Sequence, residues 1–321
     1  MPVEVRQVRD QDLRELNRIF SEAFTAVYRR AGMTRAQVPL LTEEFLRLEW
    51  EVSGKGALLL HDSRRVVGFV FARVHGSEGW FGPLAVHPDS QGKGYGKKIV
   101  VCCVEYLKGQ GCTTIGLETM PRTFANLGLY TKLGFRPEQL VFTVNITIPR
   151  DVETTRNSDL ECILLGNRNG ADRRRWLKGI ARFCDRIYPG LDYSDEIRRT
   201  LELGFGDVLL FARDGEAVAF VLFHDQPYFV SDGFGAIRVA RLGVPRDLEG
   251  NGLLFLLDAL LVHGRGRKAT ELHVRCQTSD WEATKHLLGA GYRVVYSDLR
   301  MTLEGYPQGA SPEYVHFSRW G

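Results

Sequence analysis

Apolar positions recur along the chain with helix or strand spacing, and they predict the same order of elements twice. In the first half the order is hairpin, strand, helix, strand, helix, strand, at residues 57–62 with 65–74 (through a polar turn at 62–64), 80–86, 95–108, 113–119, 123–133 and 140–148. In the second half the same order falls at residues 208–223, 237–244, 249–261, 270–276, 281–292 and 293–303. Alternating strands and helices predict the α/β class, with a further helix within residues 10–30.

Glycines keep the same register in the two series. The pair Gly92–Gly94 recurs as Gly250–Gly252 at an offset of 158, and Gly134 recurs as Gly291 at an offset of 157. A register kept this closely favours internal duplication, so we predict a tandem protein. The predicted divisions are a first domain, a polar linker, a second domain and a tail, at residues 1–150, 151–157, 158–305 and 306–321.

Composition is that of a globular protein and argues against several other classes. Of the 321 residues, 44% are hydrophobic and 25% are charged, which is enough for a sizeable core. The net charge of +3 is small and its arginine clusters are scattered, so no nucleic-acid partner is expected. The chain shows no signal-peptide pattern and no run of about 18 apolar residues, so we expect a cytoplasmic protein without a membrane partner. Six cysteines without C-x-x-C spacing predict reduced thiols in the core.

A glycine-rich segment before the helix at 95–108 predicts an anion site. Gly92, Gly94 and Gly96 are followed directly by Lys97 and Lys98. Glycine lets a ligand approach the main chain, and the free N–H groups of a helix start favour a phosphate. The dinucleotide fingerprint and the Walker loop both require a glycine where Lys97 stands, so neither pattern applies.

The same segment resembles the acyl-CoA loop of the GCN5-related N-acetyltransferases (GNAT). Leu84-Ala85-Val86 matches the strand motif L-x-V of that family, and Gln91-Gly92-Lys93-Gly94-Tyr95-Gly96 matches its loop motif Q/R-x-x-G-x-G/A. A second family motif, L-Y-x-x-L-G-F, is Leu129–Phe135. The resemblance covers residues 1–150. Over residues 151–305 only the architecture and two loop glycines persist, which indicates a degenerate second copy.

The resemblance implies tandem GNAT folds, each with a mixed, mostly antiparallel, splayed sheet flanked by helices. It implies acetyl-CoA as co-substrate, with no metal. The residues expected to bind acetyl-CoA are Leu84, Ala85, Val86, Gln91, Gly92, Lys93, Gly94, Tyr95, Gly96, Lys97 and Asn126. A main-chain N–H near Leu84–Val86 would polarise the thioester carbonyl.

Direct transfer to an amine needs a base for the ammonium and an acid for the departing thiolate. The resemblance implies Tyr130 as the acid, with a plain core tyrosine as the alternative. Glu118 is the expected base, because the family's ribosomal-protein acetyltransferases carry one at a corresponding strand end, twelve residues before the tyrosine. That subgroup continues with S-N, whereas this chain continues T-M-P-R. A solvent-facing role for Glu118 therefore stays open, and Glu78 is the reserve base.

The sequence thus predicts an N-acetyltransferase acting on the primary amine of a small molecule or peptide. A non-catalytic coenzyme A-binding regulatory module, and transfer of another acyl group, are the alternatives. Acids and aromatics in residues 43–51 suit a cationic acceptor, although a simple amphipathic helix explains them as well. The second copy is expected to be inactive, because Glu249 replaces the loop glutamine and Leu287 or Leu288 falls at the tyrosine position. Oligomeric state is left open between a monomer with pseudo-dimeric domains and a homodimer.

Overall fold

The computed structural model describes residues 3–62, 65–151 and 159–320. Ser63 and Arg64 of the predicted hairpin turn lie outside the described residues, as does the predicted linker apart from Asp151. No helix within the described ranges is long and apolar enough to cross a membrane.

Both halves contain the predicted order of elements. The first half comprises β1 (Glu4–Gln7), α1 (Leu13–Arg30), α2 (Glu43–Ser53), β2 (Ala57–His61), β3 (Val66–His75), β4 (Glu78–Val86), α3 (Tyr95–Gly109), β5 (Thr114–Thr119), α4 (Phe124–Lys132) and β6 (Phe135–Thr147). The second comprises β7 (Glu161–Leu164), α5 (Gly170–Ile187), α6 (Ser194–Glu202), β8 (Gly206–Arg213), β9 (Glu216–His224), β10 (Ala236–Pro245), α7 (Gly252–Gly266), β11 (Glu271–Gln277), α8 (Trp281–Gly289), β12 (Arg293–Leu303) and β13 (Tyr314–Ser318). The predicted α/β fold, a mixed sheet flanked by helices, is confirmed.

The strands form one sheet in which the two halves exchange a strand. The order is β1-β2-β3-β4-β5-β12-β6-β11-β10-β9-β8-β7, and β13 pairs with β10. Strand β12 of the second half therefore lies between β5 and β6 of the first half, and β6 in turn lies between β12 and β11. Val141 pairs with Asp298, its equivalent at the offset of 157, so a pseudo-twofold axis passes between these two residues.

Helices cover both faces of the first-half strands. On one face, Ile99 and Cys103 of α3 and Tyr130 of α4 pack in a buried cluster with Phe81 and Leu117. On the other face, α1 and α2 bury residues such as Leu16 and Phe45 against β2 and β3. Alternation along each strand sends neighbouring side chains to opposite faces, so each strand contributes to both layers.

In each half, one pair of parallel strands separates after three residues. β4 pairs with β5 from Glu78–Thr114 to Trp80–Gly116, and β10 pairs with β11 from Ala236–Glu271 to Arg238–His273. Beyond these residues the strands diverge, and we call the two gaps the first and second splay. A bulge lies beside each splay: Gly82 and Pro83 of β4 lie opposite the single residue Phe71 of β3, and Ala240 is the extra residue of β10 against β9. Such bulges bend a strand away from its neighbour.

The second splay is filled by the chain's own C-terminal strand. β13 runs antiparallel to β10, with Arg241 opposite Ser318 and Pro245 opposite Tyr314. On the other side of the second splay, Gln277 of β11 also contacts β13, because its Nε2 donates to the main-chain oxygen of Ser318 at 3.2 Å. The segment predicted as a tail thus contains a strand of the sheet. The predicted domain limits stay a prediction, but neither half contains all the strands that its sheet needs.

The strand exchange predicts that the halves fold only together. Separate fragments 1–155 and 156–321 should give no folded monomer, because β6 and β12 would each lose the neighbour on which their main-chain hydrogen bonds depend. Mixed at equal concentration, they should form a 1:1 complex that unfolds cooperatively. Size-exclusion chromatography and thermal melts followed by circular dichroism measure both properties. Cooperative melting of monomeric 156–321 on its own would contradict the exchange.

Candidate active site

The first splay leaves one edge of β4 exposed to a ligand. Among the described residues, β4 and β5 pair only over 78–80 and 114–116, so Leu84, Ala85 and Val86 have no strand partner on that side. The other edge of these residues pairs with β3. The main chain of the L-x-V motif is therefore available to an extended ligand, as an added strand would use it.

The predicted loop lies at the open end of this splay. Gly92 and Gly94 have positive φ values of 78° and 81°, which explains why glycine stands at both positions. α3 begins at Tyr95, and the N–H of Lys98 donates to the carbonyl of Gly94 at 3.0 Å. The N–H groups before Lys98 precede the first helical bond, so they could hold a phosphate at the positive end of the helix.

Side chains of the loop fix it to the surrounding structure. Nε2 of Gln91 donates to the carbonyl of Val86 at 2.9 Å, and its Oε1 accepts from Arg30 of α1. Lys93 donates to the carbonyl of Asp89 at 3.1 Å. The glutamine of the motif therefore has a structural role, because its hydrogen bond holds the loop against the end of β4. Lys97 is exposed, and Asn126 lies in the first turn of α4.

Tyr130 lies at the closed end of the first splay, next to the residues over which β4 and β5 are still paired. Its ring packs edge-to-face with Phe81 of β4 at 6.3 Å and with Phe135 at 6.1 Å. Across the described ranges, no hydrogen bond engages its hydroxyl. Burial raises the pKa of Tyr130, so the phenol keeps its proton at neutral pH. A side chain in this state can donate a proton to a group that becomes negative nearby.

Glu118 points away from Tyr130, to the opposite face of the sheet. Its neighbour Leu117 belongs to the cluster around Tyr130, whereas Glu118 faces the junction between the two halves. Nε and Nη2 of Arg300 donate to its Oε1 at 3.0 and 2.6 Å, and Nη2 of Arg275 donates to its Oε2 at 2.5 Å. The main-chain N–H of Trp320 donates to Oε2 as well, at 3.3 Å.

This environment does not favour Glu118 as the general base. Burial acts to raise the pKa of Glu118, but the charges of Arg275 and Arg300 outweigh it, so the pKa is lowered. The side chain is only 1% exposed. A base for an ammonium group needs both access and a pKa closer to the operating pH. The assignment of Glu118 as base therefore stays a prediction that the geometry weakens.

The reserve base, Glu78, is also engaged. It is fully buried, and its two oxygens accept from the hydroxyl groups of Tyr188 at 2.7 Å and Tyr193 at 3.1 Å. Both tyrosines come from the second half, between α5 and α6. Glu78 lies at the closed, paired end of β4 rather than in the splay, which makes it an anchor between the copies.

Residues 43–51 form the predicted amphipathic helix, and Glu49 on its buried side joins the junction. Glu49 accepts from Arg73 and, at 3.1 Å, from Arg319 of the C-terminal segment. Arg73 also donates to the carbonyl of Gly82, just before the L-x-V motif. The helix therefore holds the bulge of β4 through a buried ion pair.

Sequence reasoning missed the arginines and the tail residues around Glu118. Trp320 is fully buried, and a Cβ added to Gly116 would lie 2.1 Å from its ring, so only glycine fits at that position. One signal was present, because Arg275 is the equivalent of Glu118 at the offset of 157. Equivalent positions that lie close to a twofold axis meet across it, and here these two form an ion pair. No group of histidines, cysteines or carboxylates in the described part of the chain could hold a metal ion.

Residues 13–135 match the model of the acetyltransferase (GNAT) family. The first half of the chain therefore contains a GNAT domain. A GCN5-related N-acetyltransferase of Sphaerobacter thermophilus superposes with a TM-score of 0.63 at 17% identity, over 96% of this chain and 98% of that one. A tandem GNAT protein from the clavulanic acid biosynthesis pathway superposes with a TM-score of 0.60 at 12% identity, over 96% and 100%. The tandem GNAT architecture is thereby confirmed.

Part of the chain is also similar in sequence to mycothiol acetyltransferases. A mycothiol acetyltransferase of Streptomyces coelicolor is 33% identical over 82 residues, which span 25% of this chain and 26% of that protein. The match thus covers far less than the whole of either chain, and it identifies neither the acceptor nor the residues that bind it.

Replacing Glu118 by glutamine should destabilise the protein strongly. The change removes the carboxylate from the buried guanidinium group of Arg300 and leaves Arg275 with Asp298 alone. Breaking a buried pair in this way typically costs about 3–5 kcal/mol of unfolding free energy at pH 7. Because the folded-state pKa is lowered, the contribution is full above about pH 5 and is lost as the pH falls through that folded value. The difference between wild type and variant should therefore shrink in acid.

Urea unfolding at neutral and acidic pH measures this effect. The matched control is Glu216→Gln, whose side chain is 60% exposed and pairs with Arg182 on the surface. That variant should unfold at nearly the same urea concentration as wild type, because solvent screens an exposed ion pair. A Glu118→Gln protein as stable as wild type at pH 7 would show that the buried cluster does not depend on this charge.

Proposed function

We propose that the protein is an acetyl-CoA-dependent N-acetyltransferase that acts on a primary amine of a small molecule or peptide. The observation that carries the proposal is the first splay, with an unpaired β4 edge, a glycine loop at its open end and Tyr130 at its closed end. The GNAT domain at residues 13–135 and the partial matches to mycothiol acetyltransferases support acetyl transfer as the reaction class.

In this proposal the pantetheine arm pairs with Leu84–Val86. The pyrophosphate lies on the N–H groups from Gln91 to Lys97, where the helix dipole and the lysines attract it. Tyr95, Gly96 and Asn126 border the same channel. The second copy takes no part in this binding, because β13 already pairs with β10 in the second splay, and Glu249 of its loop is bonded to Arg213.

The amine attacks the thioester carbonyl in the first splay, and the carbon–sulfur bond then breaks. A main-chain N–H next to Leu84 stabilises the negative oxygen of the intermediate. Tyr130 gives its proton to the departing thiolate, because its raised pKa keeps that proton available. The acceptor approaches from the face of Glu118, so the amine and Tyr130 lie on opposite sides of the sheet.

Release of free thiol on mixing with acetyl-CoA and a panel of primary amines tests the proposal. Replacing Tyr130 by phenylalanine should leave acetyl-CoA affinity unchanged and lower turnover by about 10²–10⁴-fold, because the thiolate loses its proton donor. The matched control is Tyr106→Phe, a tyrosine of α3 in the same apolar cluster, which should retain the wild-type rate.

Other outcomes would redirect the assignment. Binding of acetyl-CoA without thiol release for any amine would favour the coenzyme A-binding regulatory module. Faster release from propionyl- or succinyl-CoA would identify a different acyl donor. A wild-type rate of thiol release in Tyr130→Phe would show that this residue only packs in the core.

A further inference from the structure

The strand exchange brings a second carboxylate to Glu118. Asp298 of β12 accepts from Nη2 of Arg275 at 2.7 Å, and the same nitrogen donates to Glu118. The two carboxylates, one from each copy, are therefore side by side on a single guanidinium group. Asp298 is the equivalent of Val141 at the offset of 157, so only one side of the pseudo-twofold axis carries an acid.

Asp298 is the more accessible member of this pair. β12 pairs with β5 as far as Leu299–Thr119, and Asp298 follows directly beyond the end of β5, at the open side of the first splay. Its side chain is 13% exposed, against 1% for Glu118. A small solute can therefore contact Asp298 while Glu118 stays enclosed by two arginines and Trp320.

Two tyrosines border this position. Tyr296 lies two residues from Asp298 on the same face of β12, and its hydroxyl lies 3.3 Å from that of Tyr28 at the end of α1. An acid beside aromatic rings suits a primary ammonium group on an apolar body. The first copy contributes Tyr28 and the second contributes Tyr296 and Asp298, so these side chains lie near one another only because the strands are exchanged.

The surroundings of the two carboxylates shift their pKa values in opposite directions. Burial raises the pKa of Asp298, Arg275 and Arg300 oppose this, and the negative charge of Glu118 adds to the rise. The pKa of Glu118 is lowered, as described above. The charged or titratable groups that face Asp298 are Arg275 from β11, Glu118 from β5, Arg300 and Tyr296 from β12, and Tyr28 from α1 through Tyr296. Environments that separate two neighbouring carboxylates in this way are typical of assigned acid–base roles.

We propose that Asp298, delivered by the second copy, accepts the proton of the acceptor's ammonium group in the active site of the first copy. This inference rests on the proposed function. The ammonium loses two protons in forming the amide: one passes to Asp298, directly or through one water, and then to solvent. The other proton leaves the attacking nitrogen for solvent as the new carbon–nitrogen bond forms. Tyr130 gives its own proton to the thiolate and then regains one from solvent, so one proton is released overall. Glu118 stays ionised throughout and positions Arg275.

The pH dependence of turnover in Asp298→Asn tests this role. At neutral pH the variant should turn over about 10²–10⁴-fold more slowly with acetyl-CoA affinity unchanged, and the acidic limb of its kcat profile should disappear. Above the amine's own pKa the acceptor is already neutral, so the rate should recover towards wild type. A residue that only maintains the fold would show no such recovery. Glu118→Gln should keep the acidic limb.

Asp225→Asn is the matched control. Asp225 also lies in the second copy, is 16% exposed and pairs with a single arginine, Arg267, at 2.8 Å, and its replacement should leave rate and pH profile unchanged. If Asp298→Asn does not fold, Asp298→Glu replaces it, with a lower rate and a retained acidic limb expected. An active wild type whose Asp298 variants keep both the rate and the limb overturns this inference alone. A wild type that releases no thiol with any amine overturns the proposed function and the inference together.

Discussion

The main-chain pairing of β6 with β12 is the constraint on which the rest of the structure depends. Each strand takes a place between two strands of the other copy, so neither copy can complete its sheet alone. Backbone N–H and carbonyl groups must be paired when buried, and this requirement fixes the register in which the copies meet. The register then places Arg275 and Asp298 beside Glu118, although these residues are far apart in the chain.

Buried ion pairs reinforce this junction. Guanidinium groups of the second copy lie against carboxylates of the first, as with Arg300 and Glu118 or Arg319 and Glu49. Such pairs contribute modestly to net stability, but breaking one leaves an uncompensated charge in the interior. We infer that they specify how the copies fit together, since a shifted register would leave several charges without partners. Trp320 completes the packing by covering Gly116.

The two splays show how one geometry has diverged. Both open after three paired residues, and both carry a bulge beside the gap. In the first, the exposed edge of β4 faces a glycine loop and Tyr130. In the second, β13 supplies the hydrogen-bonding partner that β10 would otherwise lack, so the groove is closed by the chain itself. The second copy instead contributes to the first through β11, β12 and the C-terminal segment.

Local sequence patterns predicted the helices and strands well, but they did not predict which strands pair with each other. β12 occupies residues 293–303 as its apolar spacing indicates, whereas the first five residues of β6 were missed because Pro137 and its polar neighbours resemble a turn. The loop and Tyr130 were found because their motifs are contiguous. The environment of Glu118 could not be found in this way, since Arg300 is separated from it by most of the second copy. Apolar periodicity indicates which face of an element is buried, but it does not indicate which distant strand packs or pairs there.

We expect the chain to have a single acyl-CoA site, in the first splay, because its own β13 fills the second. Calorimetric titration of the whole protein with acetyl-CoA tests this most directly. Wild type should bind one molecule per chain. Gly94→Val should bind none, because a β-branched residue disfavours the positive φ of 81° and obstructs the anion site. Gly111→Val carries the same strain (φ 79°) at the far end of α3 and should bind normally. A stoichiometry of two, or a site that survives in Gly94→Val, would contradict the account.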